Sequence, residues 1–554
     1  MFDPKQIEAA QSRMESARSL VDAECQEAAA ILLDESPDFN VRYTQEGRNN
    51  TRFVYDEYGA QALQDGVSVF EGFTMPRGQK WQKLSLVDRE LSAVVENAQW
   101  LEKVEDRLFA LRNDPESGFV TNIHSFSEML LSMWGGSIYV DKRYDDYGRF
   151  AGISYQAEDP AGVWVERTKE GTIKRLHRLL ILTAEQVVDT WGDDAPKSAR
   201  EAMQGMTPRP DKEIEILHVI ERNGRRIEGR LDMAGKPWIG CYYSRPDKAV
   251  FKTGGYDALP RIVAVFARKA SKNYGRSPGL RVLPALRASQ IMMQDRVLGV
   301  EYQLKRPMLA EDDDLDQGVI DLGPFGITYG GMENGRPKLQ PLMDAPNLQD
   351  AAGLHAEVHQ VLDRAFWRDL LQLNRELKTH ISAYRTKAEE GEKGVLLAPL
   401  ARQEQELFAP MTARELHIMW DEGMLEDMPP RLRDYFGRGG KLKLGYDNPL
   451  NQMMLANEAA AYLQTAEQVA TIAPFDPSAV GEFTREYPLA KVIPGLGRAN
   501  GIPAKWQATD DEKAQSDAQA AQQQQLQQLI QVAPAIADAS KSAAEAGAIS
   551  GIGA

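Results

Sequence analysis

Apolar residues recur at helical spacing most clearly in two stretches near the middle of the chain. In the first, Leu283, Leu286, Met293, Val297, Val300 and Leu304 share one stripe, while Arg287, Asp295, Arg296, Glu301 and Lys305 fall mostly elsewhere on the wheel. The second runs from about Gln349 to Leu371, with Leu354, Val358, Val361, Leu362, Ala365, Phe366 and Leu370 on one face and Glu357, Asp363, Arg364 and Arg368 off it. A helix of that length spans about 35 Å at roughly 1.5 Å per residue. Between them stand Pro307, Gly318, Gly323, Pro324, Gly326, Gly330, Gly331, Gly335, Pro337, Pro341 and Pro346, a density that ends helices and builds turns. The pattern predicts two long struts carrying an irregular module at their tip.

The rest of the chain divides by period. Asp3, Pro4 and Gln6 supply an N-cap, a proline for the first helical position and a capping-box partner, so a helix to about Leu33 is expected. Helical patterns recur over Ala60 to Phe70, Val87 to Asn113 and Ser125 to Trp134, with a turn at Thr74 to Gly78 and Trp81 and Leu84 packing back. From Gly135 the character changes. Ser137 to Asp141, Gly162 to Glu166, Ile173 to Leu182, Glu213 to Glu221, Trp238 to Tyr243, Ala249 to Lys252 and Ile262 to Phe266 are short, rich in Val, Ile and Tyr, and bounded by Gly, Asp and Pro, the signature of strands. After the struts, Thr386 to Glu422 reads as a long helix opened by a capping box at Thr386 to Glu389 and kinked by Gly391, Gly394, Pro399 and Pro410. A strand over Lys441 to Tyr446, helices over Asn451 to Ile472 and Ser478 to Tyr487, and an Ala/Gln-rich tail over 511–548 complete an α+β chain. The tail is expected to be a helix ordered only in an assembly.

The 554 residues are too many for one core, since single cores rarely grow beyond about 300 residues. Lys and Arg number 65 against 81 Asp and Glu, a net charge of -16, which excludes a surface that clings to phosphate throughout. Any nucleic-acid contact must be local. Cys25 and Cys241 are too few for a disulfide framework or a four-ligand zinc site and are expected as buried small hydrophobes in a reducing compartment. The N-terminus lacks a signal-peptide pattern and no apolar run reaches membrane-spanning length, so a soluble cytoplasmic product is expected.

No catalytic constellation emerges. His355 and His359 stand four residues apart on the second strut, but the zinc-protease pattern requires Glu where Ala356 stands, and a solvated or subunit-facing pair is expected. Asp312, Asp314 and Asp316 resemble the start of a calcium loop whose glycine and closing glutamate positions hold Gln317 and Gly323. Gly437 to Lys441 departs from a phosphate-binding loop at Tyr435 and Leu442. Neither a metal nor a cofactor is expected. The segment 373–385 is more suggestive: Arg375, Lys378 and Arg385 against Glu376 leave a net charge of +2, with Asn374, Thr379 and His380 between them.

Tyr55-Asp56 with Gly59, Thr74, Pro76, Trp81 and Leu84 resembles the N-terminal signature of the portal proteins, or head-to-tail connectors, of short-tailed bacteriophages. Tyr274-Gly275-Arg276-Ser277 before the first strut, and Gln405-Glu406-Leu407 with Pro410, Arg414, Gly423 and Pro429 after the second, resemble later blocks of that family in the same order. The resemblance implies a homo-oligomeric ring, typically of twelve subunits, at one capsid vertex, with no enzymatic activity. It implies a wing over 1–280, stem helices over 281–306 and 349–372, a clip over 307–348, a tunnel loop over 373–385, a kinked helix and wing strand over 386–450, and a crown over 451–554. The partners it implies are double-stranded DNA held weakly, the large terminase, the major capsid or scaffolding protein and a tail adaptor, with no membrane. On this reading Met293, Val297, Val300, Leu304, Leu354, Val358, Val361 and Phe366 are subunit contacts, and Asn374, Arg375, Lys378, Thr379, His380 and Arg385 face DNA. Two alternatives from other classes are a nucleic-acid-processing enzyme with magnesium at 311–316 and another virion or tail scaffold.

Overall fold

Asp3 opens the first helix as its side chain allows: in the computed structural model its carboxylate accepts the Lys5 N–H at 3.0 Å, Pro4 fills the first turn, and the helix runs Pro4–Leu32. The structure describes residues 2–33, 38–41, 54–78, 80–204, 207–269, 272–304, 308–310, 332–333, 335–337, 339–341, 348–369, 398–425, 428–446, 449–475, 478–489, 492–493, 496–497, 506, 512–516 and 518–519. The chain forms two compact units, neither continuous in sequence: Met1–Gln79 with Ala110–Glu422, and Lys80–Phe109 with Gly423–Ala554. It is a mixed helix and sheet protein, as its alternating periods predict.

In the larger unit a five-stranded antiparallel meander follows chain order: Val163–Arg167, Ile173–Thr183, Glu213–Arg222, Trp238–Ser244 and Ala249–Tyr256. Its two faces are sorted by the period of two. Leu179, Leu217, Val219, Cys241 and Tyr243 pack with Ile7 and Met14 of the N-terminal helix. Ile214 and Ile216, with Leu180, Leu182 and Tyr242, turn the other way onto Ala184, Val187 and Ala199. Those alanines and valine belong to helices Ala184–Trp191 and Lys197–Met203, which the strand-like periodicity of the region conceals. The first is nonetheless signposted, because Thr183 and Gln186 close a reciprocal capping box.

A second sheet of three strands places Gly136–Tyr144 between Phe150–Glu158 and Arg261–Ala264. Phe150–Glu158 is an element the strand pattern misses, since Gly152, Ser154 and Gln156 dilute its apolar alternation. Helix Phe119–Ser132 lies close to this sheet at Gly136, where a Cβ would meet the Phe126 ring at 2.8 Å. Buried cations secure the unit. Arg18 donates to the carbonyls of Pro160 and Val163 at 3.1 and 2.6 Å and stacks over Trp164. Arg112 grips Glu415, which also accepts the Tyr155 hydroxyl. Arg261 pairs with Glu158 and donates to His218 Nδ1 at 3.1 Å, joining the two sheets. Burial opposes ionisation of Glu158, but the Arg261 charge holds its carboxyl below the usual range.

In the smaller unit, strand Gln82–Leu86 pairs antiparallel with Leu442–Tyr446, so Leu84, expected only to pack back, lies in a strand opposite Leu444. Helices Arg89–Ala93, Pro430–Gly437, Pro449–Ile472 and Ser478–Glu486 belong to this unit, as does Val95–Asn113 as far as Phe109. Of the long helix predicted over 386–422, residues 386–397 with their capping box lie outside the described residues. The remainder is broken into a 3-10 turn over Ala398–Arg402, a π-helical turn over Glu404–Phe408 and an α-helix over Ala409–Asp421, with Pro410 in its first turn. Most of the Ala/Gln-rich tail also lies outside the described residues. Cys25 and Cys241 are free and buried as expected, and burial pushes both thiols up to about 12.

His177 is buried on the five-stranded sheet with Nδ1 2.8 Å from Gln11 Oε1, and burial holds its pKa down at about 3. A histidine held neutral in the fold stabilises it fully above the unfolded value of 6.5, and that stability is lost as pH falls from 6.5 toward 3. His177→Gln, which retains a hydrogen-bonding side chain but not the titration, is expected to flatten this loss. The urea midpoint measured from neutral pH down to about pH 4 checks it, and an equally steep acid limb in the variant would contradict the assignment.

Candidate functional site: the paired helices and their base

The two struts are helices Leu283–Leu304 and Leu348–Ala365, and they pack against each other. The second is shorter than its periodicity predicts. Phe366 and Trp367 turn the chain, and Trp367 takes a left-handed φ of 58°, a conformation a helix does not accept. The lower part of the first helix is enclosed: Leu283, Leu286 and Ser289 are buried. Gly59 makes room for it, since a Cβ there would stand 2.5 Å from Leu286 Cδ2.

Away from this base the apolar stripe has no full cover among the described residues. Val297, Val300 and Leu304 are 46, 45 and 79% exposed, and Leu354 and Val361 are 52 and 47% exposed. Met293 and Val358 are half-buried. Phe366 corrects the expectation of a subunit contact. It is fully buried in its own chain against helix Tyr58–Thr74, where a Cβ on Gly66 would lie 3.0 Å from Phe366 Cβ. The strand module between the struts shows Met308–Ala310 paired with Leu339–Pro341, and Met332–Glu333 with Arg336–Pro337. The acidic run 311–316 lies outside the described residues, as do Asn374, Arg375, Lys378, Thr379, His380 and Arg385.

At the base, residues remote in sequence converge on Asp56. Gln290 clamps the preceding backbone, accepting the Tyr55 and Asp56 N–H groups at 2.8 and 3.1 Å and donating to the Asp56 carbonyl at 2.6 Å. Asp56 Oδ1 accepts the Tyr58 N–H at 3.0 Å at the start of helix Tyr58–Thr74. Oδ2 faces Ser289 Oγ, His355 Nε2 at 3.0 Å and His359 Nε2 at 2.8 Å. Of the expected solvated or subunit-facing pair, the solvated reading is corrected: His355 is buried and His359 half-buried, because helical spacing turns both rings onto one carboxylate. Burial disfavours the Asp56 anion, yet hydrogen bonds from Ser289, His359, the Tyr58 N–H and His355 hold its carboxyl at about 2. The Tyr58 ring stacks on His359 at 3.8 Å and its hydroxyl donates to Asp363 at 2.7 Å. Arg368, which lies over the Tyr58 ring, pairs with Asp65 at 2.7 Å.

The residues that carried the family resemblance are largely keystones of packing. At Gly275 a Cβ would stand 2.7 Å from Val265 Cβ, 2.9 Å from the Trp134 carbonyl oxygen and 3.0 Å from that of Ala267, so no side chain fits. Tyr274 meets Trp134 edge-on at 4.8 Å, and Ser277 caps the short helix Pro278–Arg281 that leads into the first strut. Leu407 is buried in the π-helical turn, and Arg414 donates to the Val140 carbonyl and to Asp141 at 3.2 and 2.9 Å.

A family model described as bacteriophage head to tail connecting protein matches residues 4–506. The chain belongs to that family. It is also 24% identical over 455 residues to the portal protein of Salmonella phage epsilon15, covering 79% of this chain and 77% of that one. The resemblance to short-tailed-phage portals thus holds over nearly the whole connector chain, and its role is the portal role at the capsid vertex of the virion, in the path of DNA packaging. Family membership displaces both alternatives, the nucleic-acid-processing enzyme and the other scaffold. Among the described residues, no helix is long and apolar enough to cross a membrane.

Because Gly275 is walled by two carbonyl oxygens and a β-branched Cβ, Gly275→Ala is expected to cost about 1–3 kcal/mol through overpacking. Gly72→Ala is the control. Gly72 lies in helix Tyr58–Thr74 with nothing near its missing Cβ, so alanine is expected to be neutral or stabilising by up to about 1 kcal/mol. Thermal unfolding of the two variants beside the unaltered chain checks the contrast.

Proposed function

We propose that the connector chain closes into a ring, of twelve subunits, in which the paired helices form the wall of a DNA channel. The observation that carries this is the apolar stripe left uncovered along both helices, on a chain whose family occupies the capsid vertex. Each Val or Leu that becomes fully buried contributes roughly 1.5–3 kcal/mol. A head-to-tail contact repeated around a closed ring covers Val297, Val300, Leu304, Leu354 and Val361 on every copy, with Met293 and Val358 beside them. In this assembly 1–280 and 386–450 form the wing, the helix pair the stem, 307–348 the clip and 451–554 the crown.

The charge supports a conduit that does not hold its cargo. Each neutralised phosphate adds affinity, and a wall that must let DNA slide inward and later outward cannot accumulate such contacts, which suits a chain of net charge -16. The segment 373–385 is the local exception and serves as a tunnel loop: Arg375, Lys378 and Arg385, with Asn374, Thr379 and His380, present a weak, sequence-independent ring to the duplex. The chain is not an enzyme. ATP chemistry belongs to the large terminase docked at the clip, whose place a tail adaptor takes after packaging. The major capsid or scaffolding protein is a further partner during assembly in the host cytoplasm.

Electron microscopy of the purified chain is expected to show rings, and a monomer under all conditions would overturn the proposal. Val297→Glu with Val300→Glu, which place two anions in the uncovered stripe, are expected to abolish rings while leaving the monomer folded by circular dichroism. Arg375→Ala with Lys378→Ala is expected to leave rings intact and to lower the DNA packaged or retained per particle. Unchanged DNA content would remove the tunnel-loop role.

A further inference from the structure

The base of the helix pair holds a constellation that the portal role does not use. Asp56, His355 and His359 each present a ligand atom, and these atoms all lie within 4.8 Å of one another. A carboxylate oxygen offers about two lone pairs in its plane, yet Oδ2 is faced by Ser289 Oγ and both imidazole nitrogens at once. That crowding describes ligand atoms gathered around a common point as well as it describes hydrogen bonds. Ligands at about 2.0–2.2 Å from a tetrahedral zinc stand roughly 3.4 Å apart, so separations of 2.8 and 3.0 Å need to open by only a few tenths of an ångström.

We propose that Asp56, His355 and His359 form a three-ligand site for a divalent transition-metal ion of the zinc class, which locks both long helices to the segment preceding helix Tyr58–Thr74. Two imidazoles and one carboxylate suit zinc and its neighbours, whereas calcium and magnesium take oxygen donors. The histidines lie four residues apart on one helix, so a single backbone element presents both. The stacked Tyr58 ring fixes the plane of His359. Ser289 Oγ, 3.0 Å from His355 Nε2 and in contact with Asp56 Oδ2, stands beside the fourth position. His355 and Ser289 are buried, while His359 is 23% exposed and gives the ion its way in. Arg296 Nη1 lies 3.0 Å from His355 Nδ1, and since a metal at Nε2 leaves the proton on Nδ1, the guanidinium turns aside on binding. The ion replaces the protons that the rings otherwise share with Asp56 and crosslinks positions some 300 residues apart in sequence, as a structural zinc does.

The test uses the full-length chain without an affinity tag, stripped with a chelator and dialysed against low-micromolar Zn2+, with bound metal counted by atomic spectrometry. One equivalent per chain is expected, with the d–d absorption of a four-coordinate centre when Co2+ replaces Zn2+ and a rise of several degrees in the thermal midpoint on loading. His359→Gln and Asp56→Asn, checked for native circular dichroism, are expected to lower zinc affinity at least tenfold. A folded unaltered chain that retains no zinc overturns the proposal whatever the variants do, and so does stoichiometric zinc that both variants keep. Neither result bears on the portal reading, which stands on family membership and ring formation.

Discussion

The carboxylate of Asp56 is the point on which the helix pair depends. One oxygen starts helix Tyr58–Thr74 through the Tyr58 N–H, and the other faces Ser289 of the first strut and His355 and His359 of the second. Removing one partner of such a buried polar group leaves the others desolvated and unsatisfied, which costs more than the interaction itself supplies. The backbone at 55–56 is also held by both ends of the Gln290 amide. The struts can extend beyond the core with an exposed apolar stripe because their lower turns are fixed in polar contacts as well as apolar ones.

Around this junction the larger unit is built on buried cations whose charge is spent on backbone carbonyls and carboxylates. Arg18 holds a turn to the N-terminal helix, Arg112 and Glu415 join the end of one helix to the middle of another, and Arg261 ties Glu158 on one sheet to His218 on the next. Buried ion pairs add little net stability compared with apolar residues of similar volume, but they have one satisfactory arrangement and penalise others. For a subunit expected to meet identical neighbours around a ring, a rigid body is the useful property. In the proposed ring the uncovered stripe supplies the association and the buried network supplies the shape.

Much of the candidate site could be read in the sequence because helical period is local. The two struts and the seven main strands of the β-rich region follow from spacing within a dozen residues, and the structure places the first strut and those strands within a few residues of their expected bounds, while the second strut ends early at Ala365. The strand Phe150–Glu158 and the helices Ala184–Trp191 and Lys197–Met203 did not follow. In the strand, Gly, Ser and Gln dilute the alternation, and in the helices short alanine-rich runs pack onto a sheet face that the local pattern does not reveal. The residues of the family signature were visible, but their work was not: Gly275 is glycine because the carbonyls of Trp134 and Ala267 and the Val265 side chain leave no room, a fact spread over 141 positions.

The sequence by itself determined the class of elements, the net acidity, the apolar stripe and the order of the family's blocks, since each depends on residue type and near spacing. Tertiary structure alone decided which stripe residues remain uncovered, enclosing Phe366 against helix Tyr58–Thr74 while leaving Val361 out. It also made two histidines that read as a solvated or subunit-facing pair into partners of Asp56. The physical reason is that helical spacing sets which side chains share a face, whereas only the folding of distant segments sets what that face meets. Asp56 and His359 lie some 300 residues apart, and nothing local to either announces the 2.8 Å between them.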